Sequence, residues 1–285
     1  MIIVKTRKKL AEIIHNKRAE NAAIGFIPTM GALHEGHLQL LKTGIQNNLT
    51  TVCSIFINPT QFNEKSDFDK YPVTIESDIY LLETAGCNIL FLPSVEEMYP
   101  PNEINNLQVN LGNLDNILEG KYRPGHFDGV CQIVHKLLQT VQPDVLFLGQ
   151  KDYQQCMVIQ KMIQQADFAI IPRVEIVPTI RETSGLAMSS RNKRLSDTDV
   201  QNATAIYKAM SYIQDSYSKV PYDELMNFAS DMLKLAGFQP IDYCTIADAV
   251  SLEPVTNPAT YHDKMVVLMA AYLNGVRLID NILLS

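Results

Sequence analysis

The sequence has no tryptophan and few cysteines, and no two cysteines are spaced as a CxxC pair. The five are Cys53, Cys87, Cys131, Cys156 and Cys244. An odd number of widely separated cysteines in a chain of 285 residues argues against a disulfide framework. We therefore predict buried free thiols and a reducing compartment.

Long apolar runs are also missing. The longest, residues 265–273, has nine residues, whereas a membrane-spanning helix needs roughly 20. The N-terminal segment MIIVKTRKK has no apolar core of signal-peptide length. These absences predict a soluble, cytoplasmic protein with no membrane partner.

Basic residues are outnumbered in this chain. There are 24 Lys and Arg against 31 Asp and Glu, a net charge of −7. An overall field of that sign repels nucleic acid, so we expect no nucleic-acid partner, although a local basic cleft is compatible with it. With 46% hydrophobic and 19% charged residues, the composition is that of an ordinary globular protein of one large or two smaller domains.

Three glycine-based motifs of α/β proteins are absent. No two glycines lie two apart, which excludes the G-x-G-x-x-G dinucleotide fingerprint, and Gly120-Lys121 is followed by tyrosine instead of the Ser or Thr of a P-loop. There is no G-x-S-x-G nucleophile elbow. If this chain binds a nucleotide, it does so through a different motif.

Short apolar segments alternate with helical patterns over the first 178 residues. The predicted strands are residues 23–27, 51–57, 88–92, 145–148 and 173–177, and the predicted helices are residues 37–46, 75–85, 129–141 and 153–165. The strands are rich in Ile, Val, Leu and Phe and mostly end at Pro, Gly or Asn, which is typical of buried parallel strands. The alternation predicts an α/β fold with a doubly wound parallel sheet and ligands at the carboxyl ends of its strands.

The pattern changes near residue 178. Helical stretches at 199–217 and 222–236 are followed by strand-like segments at 240–247, 264–273 and 276–282. We predict a smaller, separate α+β domain, so that residues 1–178 form the first domain and residues 179–285 the second.

The most informative segment is PTMGALHEGH at residues 28–37, between a predicted strand and a predicted helix. His34 and His37 share a face of the first helical turn, and the free N–H groups and dipole of a helix start favour anions. Gly31 and Gly36 would let the backbone approach a ligand closely. We predict a polyphosphate site. A metal site is a weaker alternative because the helical metal motif needs four-residue spacing and a third ligand, and a plain helix start is another.

A second segment, GLAMSSRN at residues 185–192, combines two hydroxyls and a guanidinium in a glycine-led loop that can bind phosphate. Alone, it would be interpreted as an ordinary polar loop. Paired with the His-x-Gly-His element, it resembles the signature pair of nucleotidylyl-transferring α/β proteins, including class I aminoacyl-tRNA synthetases. In that superfamily the two elements grip the nucleotide phosphates.

Two further segments follow predicted strands. SIFINPTQF at residues 54–62 leaves its strand through Asn-Pro, which puts Gln61 in the crevice with a donor and an acceptor for a hydroxy acid. GQKDYQQ at residues 149–155 opens a helix, with Lys151 in reach of a phosphate and Gln155 in reach of a second ligand.

Two more segments contain charged residues next to predicted elements. RPGHF at residues 123–127 places Arg123 and His126, a cation and an imidazole, before a predicted helix. VRLIDN at residues 276–281 is better explained as an edge strand with a structural Arg–Asp pair than as part of a site.

In this order, the segments resemble the pantoate–β-alanine ligase (pantothenate synthetase) family over nearly the whole chain. The resemblance implies a Rossmann-like N-terminal domain, a C-terminal lid domain and a homodimer. It implies that ATP and pantoate give pantoyl adenylate and pyrophosphate, and that β-alanine then gives pantothenate and AMP. Mg²⁺ is the implied cofactor ion, for which the sequence names no ligands.

By motif position, the resemblance implies two overlapping sets of nucleotide-site residues. The ATP-binding set is Met30, Gly31, Ala32, Leu33, His34, Glu35, Gly36, His37, Gly149, Gln150, Lys151, Asp152, Ile180, Met188, Ser189, Ser190 and Arg191. The catalytic set is His37, His34, Lys151 and Arg191, with His37 as the usual proton donor.

The implied substrate-binding residues are Gln61, Gln155, Arg123 and His126. Gln61 and Gln155 would hold pantoate, and Gln61 would also lie near β-alanine. Gln150 stands where the family often has Glu, and Ser184-Gly185 where it often has Asp-Gly, neither of which carries chemistry.

Two rival functions share part of this pattern. Another nucleotidylyltransferase or synthetase-like enzyme would have the histidine element but would lack the Asn-Pro-Thr-Gln and Arg-Pro-Gly-His elements. A non-catalytic nucleotide-binding protein has no reason to keep so many polar groups at the ends of its strands.

Overall fold

The computed structural model describes residues 1–63, 68–101, 103 and 107–284. Its strands are β1 (Ile2–Val4), β2 (Ile24–Thr29), β3 (Thr50–Ile55), β4 (Ile89–Phe91), β5 (Val145–Gly149), β6 (Arg173–Val177), β7 (Phe238–Asp248), β8 (Met265–Leu273) and β9 (Val276–Leu284). The α-helices whose bounds both lie in this described part are α1 (Arg7–Ala19), α2 (Glu35–Gln46), α3 (Ile75–Thr84), α4 (Val95–Met98), α5 (Leu118–Tyr122), α6 (His126–Val141), α7 (Tyr153–Gln165), α8 (Asp197–Ser216) and α9 (Tyr222–Leu235).

The first sheet has six parallel strands in the order β1-β4-β3-β2-β5-β6. It confirms the predicted α/β class, and each of the five strands predicted for it lies within two residues of an observed strand. The edge strand β1 was not predicted, since three residues are too short for a periodic signal.

Helices cover both faces of this sheet. On one face, α1, α6 and α7 bury a continuous apolar core, to which α6 alone contributes Val130, Ile133, Val134, Leu137 and Leu138. On the other face, α2 and α3 bury Leu40, Leu41 and Leu82. Two-sided burial explains why the predicted strands are almost continuously apolar.

The order of the strands reverses between β2 and β5, and the two strands separate there. They pair only at Gly25 and Phe26, whereas β2 and β3 stay paired up to Thr29. Pro28 lies beyond the β5 ladder, so its missing N–H costs no hydrogen bond on that side. The resulting crevice at the carboxyl ends of the strands is where ligands bind in open α/β sheets.

The second sheet is antiparallel, in the order β7-β8-β9. Along β8, Val266 and Leu268 join the core under α6 and α7, whereas Val267 and Met269 join a second core under α8 and α9. This alternation follows from the two-residue period of a strand. The small α+β unit therefore shares apolar packing with the first sheet, and the boundary between residues 178 and 179 stays a prediction.

All five cysteines are free, and Cys53, Cys87, Cys131 and Cys156 are buried, which confirms the predicted thiols. In the described part of the chain, no helix is long and apolar enough to cross a membrane.

Candidate active site

A cleft of about 240 Å³ opens at the carboxyl ends of β2, β3 and β5, and the second sheet closes it from the other side. It brings together most of the residues predicted from sequence: Met30, His34, Gly36, His37, Gln61, Arg123, His126, Gly149, Lys151, Asp152, Gln155, Ile180, Met188, Ser189, Ser190 and Arg191. Five predicted residues do not line it: Gly31, Ala32, Leu33, Glu35 and Gln150.

The side chains of the two histidines accept backbone N–H groups at the start of α2. His34 is the N-cap, and its Nδ1 accepts the Gly36 N–H at 3.2 Å. The Nδ1 of His37 accepts the His34 N–H at 3.3 Å, and the ring centroids are 4.1 Å apart. Because each Nδ1 is an acceptor, each neutral ring carries its proton on Nε2. Each histidine therefore has an Nε2–H donor that its cap does not use.

Both imidazoles are neutral at physiological pH. Burial lowers the pKa of His34 to about 4, and the nearby charge of Lys151 lowers it further. Burial and the neighbouring His34 lower the pKa of His37 to about 3. The histidines can therefore donate hydrogen bonds to a phosphate, but its negative charge must be balanced by other groups.

The amides of the loop before α2 are already hydrogen-bonded within the protein. The Ala32 and Leu33 N–H groups donate to the two carboxylate oxygens of Asp78 at 2.9 and 2.8 Å, and the Gly31 N–H donates to Thr29 Oγ1 at 3.2 Å. Asp78, in α3, is only 1% exposed. Buried donors need partners, and here a buried carboxylate supplies them.

The same carboxylate explains the loop's backbone shape. Gly31 and Ala32 both have positive φ, at 82° and 51°. A Cβ on Gly31 would lie 3.0 Å from both Asp78 Oδ2 and Ile55 Cγ2, so any other residue would be strained there. Ala32 keeps an unfavourable conformation because Asp78 binds its amide.

Gln61 lies just beyond β3 and is 8% exposed. The Asn58 Nδ2 donates to Gln61 Oε1 at 3.2 Å and to the Gly129 carbonyl at 3.1 Å, while Tyr99 donates to Asn58 Oδ1 at 2.8 Å. Gln61 Nε2 lies 2.9 Å from the sulfur of Met30. Since Asn58 already donates to the amide oxygen, the Nε2–H groups of Gln61 are its donors to the Met30 sulfur and to the cleft.

His126 links Arg123 to Gln61. Arg123 Nη1 lies 3.0 Å from His126 Nε2, and His126 Nδ1 lies 2.8 Å from the Gln61 carbonyl oxygen. A guanidinium can only donate, so Nε2 accepts and Nδ1–H donates to the carbonyl. Burial and then the charge of Arg123 lower the pKa of His126 to about 4, which keeps the ring neutral. With both nitrogens engaged, His126 supports Gln61 and Arg123.

The charged groups predicted for phosphate binding lie on two turns. Lys151 is in the 3-10 turn Gln150–Asp152 between β5 and α7, with its Nζ 3.4 Å from Asp152 Oδ1. Arg191 is in the 3-10 turn Ser190–Arg194, and its N–H donates to Ser189 Oγ at 3.2 Å. Burial raises the pKa of Asp152, but Lys151 and Arg191 together bring it below its ordinary value. Cations from two separate loops therefore line one cleft.

A buried ion pair connects the cleft to the second sheet. Arg277 donates to both oxygens of Glu119 at 2.7 Å and to Asp242 Oδ2 at 2.7 Å, and Tyr243 donates to Glu119 at 2.7 Å. Burial raises the pKa of Glu119, but the bonds from Arg277 outweigh it and bring the pKa to about 2. Glu119 is therefore ionised throughout the physiological range.

The segment at residues 276–281 is the edge strand predicted, but the predicted Arg–Asp pair within it is wrong. Asp280 pairs with Arg181 at 2.5 and 3.0 Å, and Arg277 pairs with Glu119 and Asp242. Residues three apart on a strand point to opposite faces, so Arg277 and Asp280 cannot meet.

The residues of the cleft region that were not predicted from the sequence include Asn58, Asp78, Glu119 and Thr179. A local motif, the Asn-Pro at the end of a strand, could have indicated Asn58. Asp78 and Glu119 make contacts with residues far away in the chain, which no local sequence motif predicts. Thr179 lines the cleft, and its buried hydroxyl has no hydrogen-bond partner among the described residues. A buried hydroxyl without a partner is a candidate ligand contact.

The weaker alternative of a metal site at the histidines receives no support from the described residues, which contain no group of three His, Cys, Asp or Glu side chains suited to a metal ion.

Known proteins share this sequence and fold. Residues 2–283 match the model of a family described as Pantoate-beta-alanine ligase. The chain belongs to the pantoate–β-alanine ligase family. The pantothenate synthetase of Cytophaga hutchinsonii is 43% identical to this ligase over 286 residues, covering 100% of this chain and 99% of that protein. The pantothenate synthetase of Bacteroides thetaiotaomicron is 40% identical, covering 99% and 98%.

Solved structures give the same result. Pantothenate synthetase from Thermus thermophilus superimposes on this ligase with a TM-score of 0.90 at 36% identity, covering 99% of each chain. The pantoate–β-alanine ligase from Francisella tularensis, complexed with beta-gamma ATP and β-alanine, has a TM-score of 0.80 at 38% identity and covers 99% and 97%. The predicted family, fold class and ligase activity are confirmed.

Proposed function

We propose that this ligase condenses pantoate with β-alanine, driven by ATP, to give pantothenate, AMP and pyrophosphate through a pantoyl-adenylate intermediate. The observation that supports the proposal most directly is a single cleft. It is lined by phosphate-directed groups at His34, His37, Lys151 and Arg191 and by the side-chain amide of Gln61.

The first step activates a carboxylate, which is a poor electrophile in water. A pantoate carboxylate oxygen bonds to the α-phosphorus of ATP, and the bond from that phosphorus to the bridging oxygen breaks, so pyrophosphate leaves with the electron pair. Charge grows on the departing phosphates, and groups aimed at that charge lower the barrier. Lys151 and Arg191 supply positive charge, and the Nε2–H groups of His34 and His37 supply hydrogen bonds.

The second step forms the amide. The neutral amine of β-alanine attacks the acyl carbon, AMP leaves with the electron pair of the C–O bond, and the amine loses a proton. This sequence needs no covalent acyl-enzyme. Gln61 would bind pantoate through its Nε2–H donors, with Gln155 beside it, and Arg123 would bind a substrate carboxylate.

Mg²⁺ would be held with the ATP phosphates. Of the cleft carboxylates, Glu119 and Asp280 are each buried and paired with an arginine at 2.7 and 2.5 Å, whereas Asp152 is half exposed and makes a longer contact of 3.4 Å with Lys151. Mg²⁺ in phosphoryl-transfer sites is bound by one or two carboxylates together with substrate phosphates. The donor set fits an ion of this kind. Asp152 would hold it, and when bound it would neutralise phosphate charge.

We propose three further properties of the whole ligase. Residues 179–285 would act as a lid over residues 1–178, which would protect a hydrolysable acyl adenylate from water. The family resemblance supports a homodimer. Five free cysteines support a cytoplasmic location.

Isotope exchange tests the proposed order of events. With ATP, Mg²⁺ and pantoate but no β-alanine, the ligase should exchange labelled pyrophosphate into ATP, because adenylation is complete before the amine is needed. Exchange that requires β-alanine would contradict a separate adenylate. Exchange supported equally well by an amino acid would favour a synthetase-like enzyme instead.

A further inference from the structure

Asn281, near the end of β9, reaches from the second sheet to the turn that carries Lys151. Its side chain donates to the Gln150 and Lys151 carbonyl oxygens, both at 2.9 Å, and its Oδ1 accepts from Gln150 Nε2 at 3.2 Å. Asn281 is 1% exposed. A buried amide of the C-terminal unit thus binds the backbone of the nucleotide-site turn.

The polar groups of Asn281 are fully engaged. Its backbone N–H donates to Asp280 Oδ1 at 2.8 Å, and its carbonyl accepts from Arg181 Nη2 at 3.3 Å. Both hydrogens of the side-chain amide already have acceptors, and the reversed amide would set an oxygen against two carbonyl oxygens. Asn281 therefore has no donor to spare for a ligand, and it acts on protein backbone.

The neighbouring residue Asp280 anchors Asn281 in the C-terminal unit. Arg181 grips Asp280 through two hydrogen bonds and stacks 4.3 Å from the ring centre of Tyr207 in α8. By contrast, the ion pair of Lys151 is with Asp152 of the same turn. The position of the Lys151 ammonium therefore depends on the backbone of its turn. Asn281, which is not part of that turn, holds this backbone in place.

We infer that Asn281 is a positioning residue that holds the Gln150–Asp152 turn so that Lys151 can reach the nucleotide phosphates. The phosphate site would then be complete only with the second sheet in place. The inference rests on the proposed function for the identity of the ligand, ATP.

A double-mutant cycle tests it, with ATP and Mg²⁺ binding measured by calorimetry. Asn281→Ala should weaken ATP binding roughly tenfold, because it removes hydrogen bonds that orient a charged ligand contact. In the Lys151→Ala background the same substitution should weaken binding less than about twofold, because residues that act through one another are not additive. The KM for pantoate should not change.

The matched control is Gln214→Ala, which removes an amide bond to the Leu283 carbonyl of the same strand, 3.1 Å long and away from the turn. It should leave ATP binding unchanged. Asn281→Asp keeps the volume but has no side-chain N–H, so it should weaken ATP binding at least as much as alanine, and it replaces alanine in the cycle if that variant melts below the assay temperature.

Equal weakening in both backgrounds, or wild-type ATP affinity in a folded Asn281 variant, would overturn the inference. Failure of the proposed function would look different: wild-type ligase would bind ATP but show no pantoate-dependent pyrophosphate exchange.

Discussion

At the scale of single residues, His34 and His37 each use one ring nitrogen at the start of α2 and would use the other in the proposed phosphate site. Each Nδ1 completes the cap of α2, which leaves each Nε2–H for a ligand. Their spacing predicted a shared face, but the tautomer depends on backbone bonds that spacing does not reveal. A phosphate here would be bound by neutral donors beside separate cations.

Substitution of His37 separates these two functions. His37→Ala should lower the maximal rate of pyrophosphate exchange roughly 10²-fold, because a transition-state phosphate contact is worth several kcal/mol. It should also lower the free energy of unfolding by about 1 kcal/mol, because it removes part of a cap. Steady-state exchange and urea unfolding measure the two effects.

Thr6→Ala is the control for the cap. Thr6 Oγ1 accepts the Lys9 N–H at 3.3 Å at the start of α1, and Thr6 does not line the cleft. This variant should lose similar stability with unchanged exchange. If His37→Ala keeps wild-type exchange, the imidazole is a structural cap only.

Gln61 should control affinity for pantoate more than for ATP. Gln61→Ala removes the cleft donors, so KM for pantoate should rise at least tenfold, as for loss of a substrate contact. KM for ATP should stay within about twofold, since the predicted phosphate contacts are elsewhere. Gln165→Ala, which loses amide bonds to Asn110 at the exposed end of α7, should change neither KM. Loss of stability with unchanged KM would assign Gln61 to folding alone.

At the scale of elements, the strand–loop–helix from β2 to α2 was predictable, but the support of its loop was not. The apolar segment, the glycines and the histidine spacing located the unit within two residues. Asp78, 45 and 46 residues away in the chain, binds the Leu33 and Ala32 amides. No local pattern encodes that contact. Helix α1 was also not predicted. Only Leu10 and Ile14 of this helix are buried, and so narrow an apolar stripe gives no helical pattern in the sequence.

Removing the Asp78 carboxylate should loosen this loop. Asp78→Ala leaves two buried N–H groups without acceptors, which should cost about 2–4 kcal/mol of unfolding free energy. The Ala32 and Leu33 amides should then exchange with deuterium much faster than in the wild type. Glu76→Gln, in the same helix turn but exposed, should leave both readouts unchanged. Unchanged protection in Asp78→Ala would show that the loop is held by other contacts.

At the scale of the whole molecule, the two sheets are joined by contacts between distant parts of the chain. Arg277 and Glu119 are 158 residues apart, and Asn281 binds the turn 130 residues before it. The sequence predicted both units because each has its own periodicity. The sequence could not predict how the two units pack together, since contacts between residues so far apart in the chain form no recognisable sequence motif. The incorrect Arg277–Asp280 pair came from treating a long-range network as a local one.

The Glu119–Arg277 pair has a definite pH dependence. Because the pKa of Glu119 is lowered to about 2 from an ordinary value of about 4.5, the folded chain binds fewer protons than the unfolded chain between these values. The stabilisation is fully present above the unfolded pKa. It is lost as the pH falls through the folded value.

Removing Arg277 should reverse this behaviour. Arg277→Met leaves the carboxylate of Glu119 buried without its main partner, which should cost about 3–5 kcal/mol of unfolding free energy near pH 7. Burial would then raise the pKa of Glu119 above its ordinary value, so the folded variant would bind more protons than the unfolded chain. The stability difference from the wild type should therefore shrink as the pH falls from 7 towards 4, which urea unfolding at several pH values measures.

Two further variants are the controls for this prediction. Adding Glu119→Gln to Arg277→Met should recover part of the stability lost at pH 7. Lys234→Met, which breaks the exposed pair with Asp231, should change stability by less than about 1 kcal/mol at any pH. A deficit that stays constant with pH would mean that Arg277 stabilises the junction of the two sheets through its packing and not through the charge of Glu119.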